Sequence, residues 1–373
     1  MKIGIDARLW NETGVGRYIR SLFKYLPLLD KENDYIWFFR NREYREIALP
    51  LNNWKKVLAD VRWHSLSEQF ILPWIFYKEK LDLLHFPYFS FPIIYPGKFV
   101  VTIHDLIFDH HKTGKTSTLP PIWYALKKIG YHLIVWTSIK RAEKIITLSN
   151  DAKKEIIDHY DADSKKIIVT YESGTLEDTK TDFSLAKFKK IQKLQPYLLY
   201  VGNAHPHKNV EALLEAIEVI KNKEKDWKLV LIGSDKFFYP RLVSYIKKKK
   251  LEKAVRIVGE VPNREIAVWY YFAKGFVTAS KMEGFGIPPL EAMSMGCPAI
   301  VSDIPVFHEI YAEGATYFNQ NNPENIAQIV LNTLKNKQLV DQLIKRGHYK
   351  AKEYSWEKMV SETITIYESC TRL

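Results

Sequence analysis

Only two cysteines, Cys297 and Cys370, stand among 373 residues. Two thiols cannot build a disulfide framework, and their spacing fits no thiolate metal site. A reducing cytoplasm is the expectation. Long apolar runs are also missing. The longest candidate, 129–139, contains His132 and falls short of the roughly 20 residues that cross a bilayer. The first residues, Met1-Lys2-Ile3-Gly4-Ile5-Asp6, read as a strand from the start, so no signal peptide is expected. Neither an internal repeat nor a low-complexity tract stands out.

What is present is an ordinary globular composition. Hydrophobic residues make up 46% and charged residues 26% of the chain, and the length allows two domains, each with its own core. The net charge is +12. The basic excess is shared by both halves, which argues against one dedicated nucleic-acid domain, and no nucleic-acid module is recognisable. Three partners for the charge stay open: anionic lipid headgroups, a phosphorylated small molecule, or water alone.

Strand and helix patterns alternate almost throughout. Strands are predicted over 2–6, 35–39, 81–86, 98–104, 144–148 and 167–170. Helices are predicted over 15–29 and 122–140, with a further helix capped by Ser149. The pattern weakens over 176–195, which reads as a linker. A second series follows. Its strands are 197–201, 228–232, 255–258, 275–278 and 299–302; its helices run from about Asn209, read as a cap, over 237–250 and over 266–273. The last stretch reads as helices over 323–334, 337–353 and 355–371. Such alternation means parallel sheets covered by helices on both faces.

The most informative stretch is Ser280-Lys281-Met282-Glu283-Gly284-Phe285-Gly286-Ile287-Pro288-Pro289-Leu290-Glu291. It follows a predicted strand and opens a helix, so it lies at the carboxyl edge of a sheet, where open α/β sheets bind ligands. Amides of Gly284, Phe285, Gly286 and Ile287 would face a phosphate, with the helix N-terminus behind them. Glu291, in the first helical turn, would reach a ribose or sugar hydroxyl. Gly14-Val15-Gly16 opens the first helix in the same way, as a phosphate cradle or as a tight turn; the full dinucleotide fingerprint is missing. His104-Asp105 ends a strand. A metal-hydrolase role would need matched His and Asp elsewhere, and His110 and His111 lie close without a partner motif. In Gly202-Asn203-Ala204-His205-Pro206-His207-Lys208-Asn209, Lys208 sits just before a helix start and can reach an anion docked there.

Together these motifs resemble the retaining glycosyltransferases of family 4, which have the GT-B fold. The resemblance also takes in Gly259-Glu260-Val261, Gly296-Cys297-Pro298 and Tyr354-Ser355-Trp356, so it spans nearly the whole chain in order. It implies two Rossmann-like domains facing across a cleft, with the C-terminal helix crossing back to the first. Residues 1–175 with 355–373 would bind the acceptor. Residues 196–354 would bind the nucleotide sugar. By position, Lys208 would hold the diphosphate, Glu283 the donor sugar and Glu291 the ribose. Val261 would lie against the base, and His104 near the reacting carbon. Many relatives carry an arginine where Asn203 stands, so neutralising the diphosphate would rest more on Lys208 and on amides, or on an arginine elsewhere, such as Arg264.

The implied reaction moves a sugar from a nucleotide-diphosphate donor, with GDP-mannose the expected donor, to a saccharide or lipid-linked acceptor, retaining configuration and using no metal or other cofactor. A two-carboxylate glycoside hydrolase is the poorer reading of Glu283 and Glu291. Alternatives are an epimerase or phosphorylase of the same fold, or a binding subunit without turnover. The aromatic and basic stretch 121–128, continuing to Tyr131 and Trp136, reads either as an amphipathic face on the inner surface of the cytoplasmic membrane or as an internal helix packed on the sheet.

Overall fold

The structure is a computed structural model that describes residues 1–110, 121–176 and 185–370; the side chains of 121–126, 185–187, 190 and 263 are not among those described. The chain divides into two compact units, Met1–Glu172 with Trp356–Leu373, and Ser173–Ser355.

The first unit runs β1 (Lys2–Asp6), α1 (Gly14–Leu29), β2 (Asp34–Phe39), α2 (Asn41–Glu46), β3 (Lys55–Leu58), α3 (Leu66–Lys78), β4 (Leu83–Phe86) and β5 (Phe99–Ile103). It continues through α4 (Ile107–His110), α5 (Pro121–Arg141), β6 (Lys144–Thr147), α6 (Asn150–Tyr160) and β7 (Ile167–Val169). Its seven strands are all parallel, in the order β3-β2-β1-β4-β5-β6-β7. Parallel strands covered on both faces must be apolar throughout. Tyr35 to Phe39 of β2 and Phe99 to Ile103 of β5 are accordingly buried without a break. α1 instead buries a stripe, Tyr18, Ile19, Leu22 and Leu26, at helical spacing.

The second unit carries α7 (Leu185–Gln192), β8 (Tyr197–Val201), α8 (Val210–Lys223), β9 (Lys228–Ile232), α9 (Phe238–Lys248), β10 (Val255–Gly259), α10 (Asn263–Phe272) and β11 (Gly275–Thr278). Then come α11 (Ile287–Ser294), β12 (Ala299–Ser302), α12 (Pro305–Tyr311), β13 (Ala315–Phe318), α13 (Pro323–Lys335) and α14 (Lys337–Lys352). Its six-stranded parallel sheet has the order β10-β9-β8-β11-β12-β13. The last helix, α15 (Trp356–Ser369), belongs to the first unit and lies against α1. It buries Trp356, Met359, Val360, Ile366 and Tyr367. The Tyr367 hydroxyl meets Nδ1 of His85 on β4 at 2.6 Å, and Nε2 of His85 meets the Thr102 hydroxyl at 2.8 Å. One buried imidazole therefore ties α15 to two strands.

Several expectations change. The stretch 176–195, read as a linker, holds α7, whose Ile191 is buried in the second unit's core and whose Phe188 meets Phe272 edge-on. Mixed Lys and Gln around a few apolar residues hid that helix. Asn209 stands at the start of α8 in the left-handed region, φ +52°, and makes no side-chain cap. Its amide instead donates to the Gln320 carbonyl at 2.7 Å. Ser149 does cap α6, accepting from the Ala152 amide at 3.1 Å.

At the end of β1, Arg8 is held by Asp6 at 2.7 Å and by Glu68 at 2.8 Å, all three buried. A buried cation left without one of its partners is costly. Glu68→Ala is expected to lower unfolding stability by about 3–5 kcal/mol, read as a fall in the urea midpoint. An unchanged midpoint would contradict the network.

Candidate functional site

In a doubly wound sheet the ligand crevice opens beyond the carboxyl ends of the strands, where the strand order reverses. In the second unit that point lies between β8 and β11. The loop after β8 carries Gly202 to Asn209, and the loop after β11 carries Ala279 to Gly286. The Lys281 amide donates to the His207 carbonyl at 2.7 Å, joining the two loops by their backbones. Across this joint the Lys208 Nζ donates to both carboxylate oxygens of Glu283, each at 2.7 Å. The Ser280 hydroxyl donates to the same carboxylate at 2.7 Å. Both charged side chains are mostly buried, at 20% and 12% exposure.

The backbone there is shaped by glycine. β8 runs into Gly202 at φ +150°, β9 into Gly233 at φ +139°, and β10 ends at Gly259 at φ +87°. A Cβ on Gly233 would lie 2.0 Å from the Gly202 carbonyl oxygen, so the two loops touch backbone to backbone. Gly286, at φ +92°, precedes α11. The Tyr311 hydroxyl donates to its carbonyl at 2.5 Å, and a Cβ on Gly286 would strike that hydroxyl. Burial pushes the Tyr311 phenol well above its ordinary pKa, which keeps it a donor. Phe285 is buried edge-on against Tyr354. The N-terminus of α11, at Ile287, presents the positive end of a helix dipole.

Glu291 lies on the second turn of α11, beyond the first turn expected. It is 4% exposed and accepts a hydrogen bond from the Tyr270 hydroxyl at 2.8 Å. Val261 and Arg264 follow β10, two strands from β8, or about 10 Å along the edge. Val261 is half-buried against the core and Arg264 is exposed. The Asn203 side chain accepts from the His205 amide at 3.3 Å. Lys208, Glu283, Gly284 to Ile287 and Asn203 thus share one edge, with Glu291 beneath it.

In the first unit the order reverses between β1 and β4. Gly14 has open space around its Cα, whereas a Cβ on Gly16 would lie 2.5 Å from the Trp10 carbonyl oxygen. Close packing therefore accounts for Gly16. His104, just after β5, is 9% exposed. Its Nε2 donates to the Pro87 carbonyl at 2.9 Å, and its ring stands edge-on to Tyr18 at 5.3 Å. Nδ1 faces the buried Glu172 carboxyl at 3.9 Å, beyond hydrogen-bond range. Burial lowers the His104 pKa to about 4 and raises that of Glu172 to about 8. The two therefore meet as neutral groups at pH 7, not as an ion pair. Neither His85 nor Glu172 was legible in the sequence, because isolated polar residues in apolar runs carry no spacing signal.

Two doubly wound parallel units, with the final helix returned to the first, define the GT-B class of glycosyltransferase fold. Residues 13–172 match the model of Glycosyltransferase Family 4, and residues 182–350 match that of Glycosyl transferases group 1. The chain is 32% identical over 269 residues to the O-antigen chain mannosyltransferase RfbU of Salmonella typhimurium, covering 70% of this chain and 71% of that protein. It is 26% identical to O-antigen chain mannosyltransferase B of Escherichia coli, covering 95% and 96%. The sucrose-phosphate synthase structure from Thermosynechococcus elongatus superposes with a TM-score of 0.78 at 16% identity, covering 99% and 98%. The chain belongs to glycosyltransferase family 4 and is a glycosyltransferase.

The lowered pKa of His104 makes a testable statement about stability. Between about pH 6.5 and 4 the unfolded chain binds a proton at this histidine that the folded chain refuses. Stability gained from its neutrality is therefore complete above pH 6.5 and lost on acidification through that window. His104→Gln is expected to flatten the fall in melting temperature between pH 7 and pH 5. An equal fall in both proteins would mean that His104 titrates normally.

Proposed function

We propose that this glycosyltransferase moves a mannosyl group from GDP-mannose to a lipid-linked saccharide, with retention and without a metal, in the synthesis of a cell-surface polysaccharide. The observation that carries the donor half of this reading is the Lys208–Glu283 pair at the β8/β11 reversal. A departing diphosphate develops negative charge, and a preorganised cation beside a helix N-terminus stabilises that charge with little reorganisation. In this reading the diphosphate takes over the Lys208 ammonium while sugar hydroxyls take over the Glu283 carboxylate. Glu291 holds the ribose, and Val261 lies toward the base. The leaving phosphate oxygen accepts the acceptor's proton on the same face, so no protein nucleophile is needed. His104, neutral at pH 7 with Nε2 already bonded to Pro87, is assigned to contact the sugar and not to move a proton. The relatives named mannosyltransferases support the choice of sugar.

The decisive experiment screens nucleotide sugars by thermal shift, then by turnover with EDTA present, well below the melting temperature. GDP-mannose is expected to raise the melting temperature and turn over in EDTA, and Lys208→Ala to reduce turnover about 100-fold or more. Binding of no nucleotide diphosphate would sink the donor assignment. Near-normal turnover of Lys208→Ala would remove its role, and a requirement for added divalent ion would remove the metal-free claim.

An exposed apolar strip on the first unit supports the lipid-linked acceptor. Phe70, Trp74 and Tyr77 stand exposed on α3, and Ile129, Leu133 and Trp136 on α5. The loop 91–95 links them: Gln69 of α3 bonds the Ile93 amide at 2.8 Å, and Arg141 of α5 donates to the Ile93 and Tyr95 carbonyls. Lys78 lies over the Trp74 ring at 5.2 Å, and cations beside interfacial aromatics suit anionic headgroups at the inner face of the cytoplasmic membrane. Of the α5 residues singled out in the sequence, Trp136 joins this strip, Tyr131 turns inward, and the side chains of 121–126 lie outside the described residues. Among the described residues no helix is long and apolar enough to cross a membrane. Trp74→Asp with Trp136→Asp is expected to cut flotation with anionic vesicles about tenfold, since each removes a large apolar side chain from the interface. Unchanged flotation would remove this face from the reading.

A further inference from the structure

Three helices of the first unit bring Asp109 (α4), His132 (α5) and His159 (α6) together, with one ligand atom from each lying within 4.8 Å of the others. Asp109 is 6% exposed. Its Oδ2 accepts from the Tyr160 hydroxyl at 2.9 Å and the Tyr131 hydroxyl at 3.3 Å. Its Oδ1 is buried and accepts no hydrogen bond among the described residues. Instead it faces Nδ1 of His132 at 3.3 Å, and Nε2 of His159 lies 4.0 Å from Oδ2. A buried carboxylate oxygen without a hydrogen bond is costly; among the described residues the His132 imidazole faces this one without bonding it.

We propose that Asp109, His132 and His159 bind one divalent transition-metal ion, of the zinc class. Bonds of about 2.0–2.2 Å to nitrogen and oxygen place tetrahedral ligands roughly 3.3–3.6 Å apart; His132 Nδ1 stands at that edge, 3.3 Å from Oδ1, and His159 Nε2, 4.0 Å from Oδ2, would move inward on binding. Two imidazoles with one carboxylate select a borderline metal over calcium or magnesium, which prefer all-oxygen shells. The two tyrosine hydroxyls play the supporting role of orienting the carboxylate, so that Oδ1 stays turned to the ion. Both histidines are partly exposed, at 37% and 42%, which opens a path for the ion and leaves a coordination position for water.

Such an ion cross-links α4, α5 and α6. Because α4 begins only three residues after His104, it would also pin the loop that carries that histidine. The site does not rest on the donor reading and takes no part in the proposed transfer step.

The test is equilibrium dialysis of the full chain against zinc chloride, with metal counted by mass spectrometry, alongside the visible spectrum of the protein loaded with cobalt(II). One zinc per chain is expected, together with a rise in melting temperature that EDTA reverses. His132→Ala and His159→Ala, both at partly exposed positions, are each expected to weaken binding at least tenfold and to abolish the cobalt bands. The double variant is expected to show no EDTA-dependent melting shift and to keep wild-type turnover in EDTA. Zinc stoichiometry unchanged in the double variant, or no binding by the wild type at micromolar zinc, would overturn the proposal. Should a variant fail to fold, a wild-type cobalt spectrum without imidazole-bound tetrahedral bands would overturn it equally.

Discussion

Parallel pairing is the constraint on which the rest of each unit depends. When every strand runs the same way, every loop leaving a strand emerges at one edge, and the reversal of strand order opens a gap between two of those loops. In the second unit the gap falls between β8 and β11. That is why Lys208 and Glu283, 75 residues apart, meet at 2.7 Å. The glycines at the ends of β8, β9 and β10 belong to the same geometry: positive φ turns the chain sharply at the edge, and the missing side chain of Gly233 lets its loop touch that of Gly202.

Burial sets the chemical state of what stands there. In the second unit a carboxylate and an ammonium, each expensive to bury alone, lie together with a serine hydroxyl. Around His104 the first unit uses the opposite solution. His85, His104 and Glu172 are buried as neutral groups, the imidazoles shifted down and the carboxyl shifted up by desolvation. His104 and Glu172 are therefore neutral at pH 7, beside an edge whose β1 end carries the ion-paired Arg8, Asp6 and Glu68.

Much of the fold was legible because continuous apolar runs such as Tyr197–Val201 and Phe99–Ile103 have few alternatives to a doubly covered strand. The glycine loops and Lys208 were legible from their place between strand and helix. α3 escaped notice because Leu66–Lys78 is apolar on its exposed face as well as its buried one, which erases the helical period. Short α12 and β13 offered too few residues to show a pattern. The Asp109, His132 and His159 cluster could not be read at all: its members are 23 and 27 positions apart along the chain, and only helix packing makes them neighbours. His110 drew attention in the sequence, whereas the adjacent Asp109 is the buried member of that cluster.

The Lys208–Glu283 pair has a consequence for selectivity. An anion that captured the ammonium without offering hydroxyls would leave the Glu283 carboxylate with only the Ser280 hydroxyl in a mostly buried place. A neutral sugar that captured the carboxylate would strand the ammonium in the same way. In the proposed reading each half of the pair would penalise a ligand that satisfies only the other, so free phosphate and free sugar would both be disfavoured by the same bond. A molecule that joins an anion to a polyol would replace both partners at once.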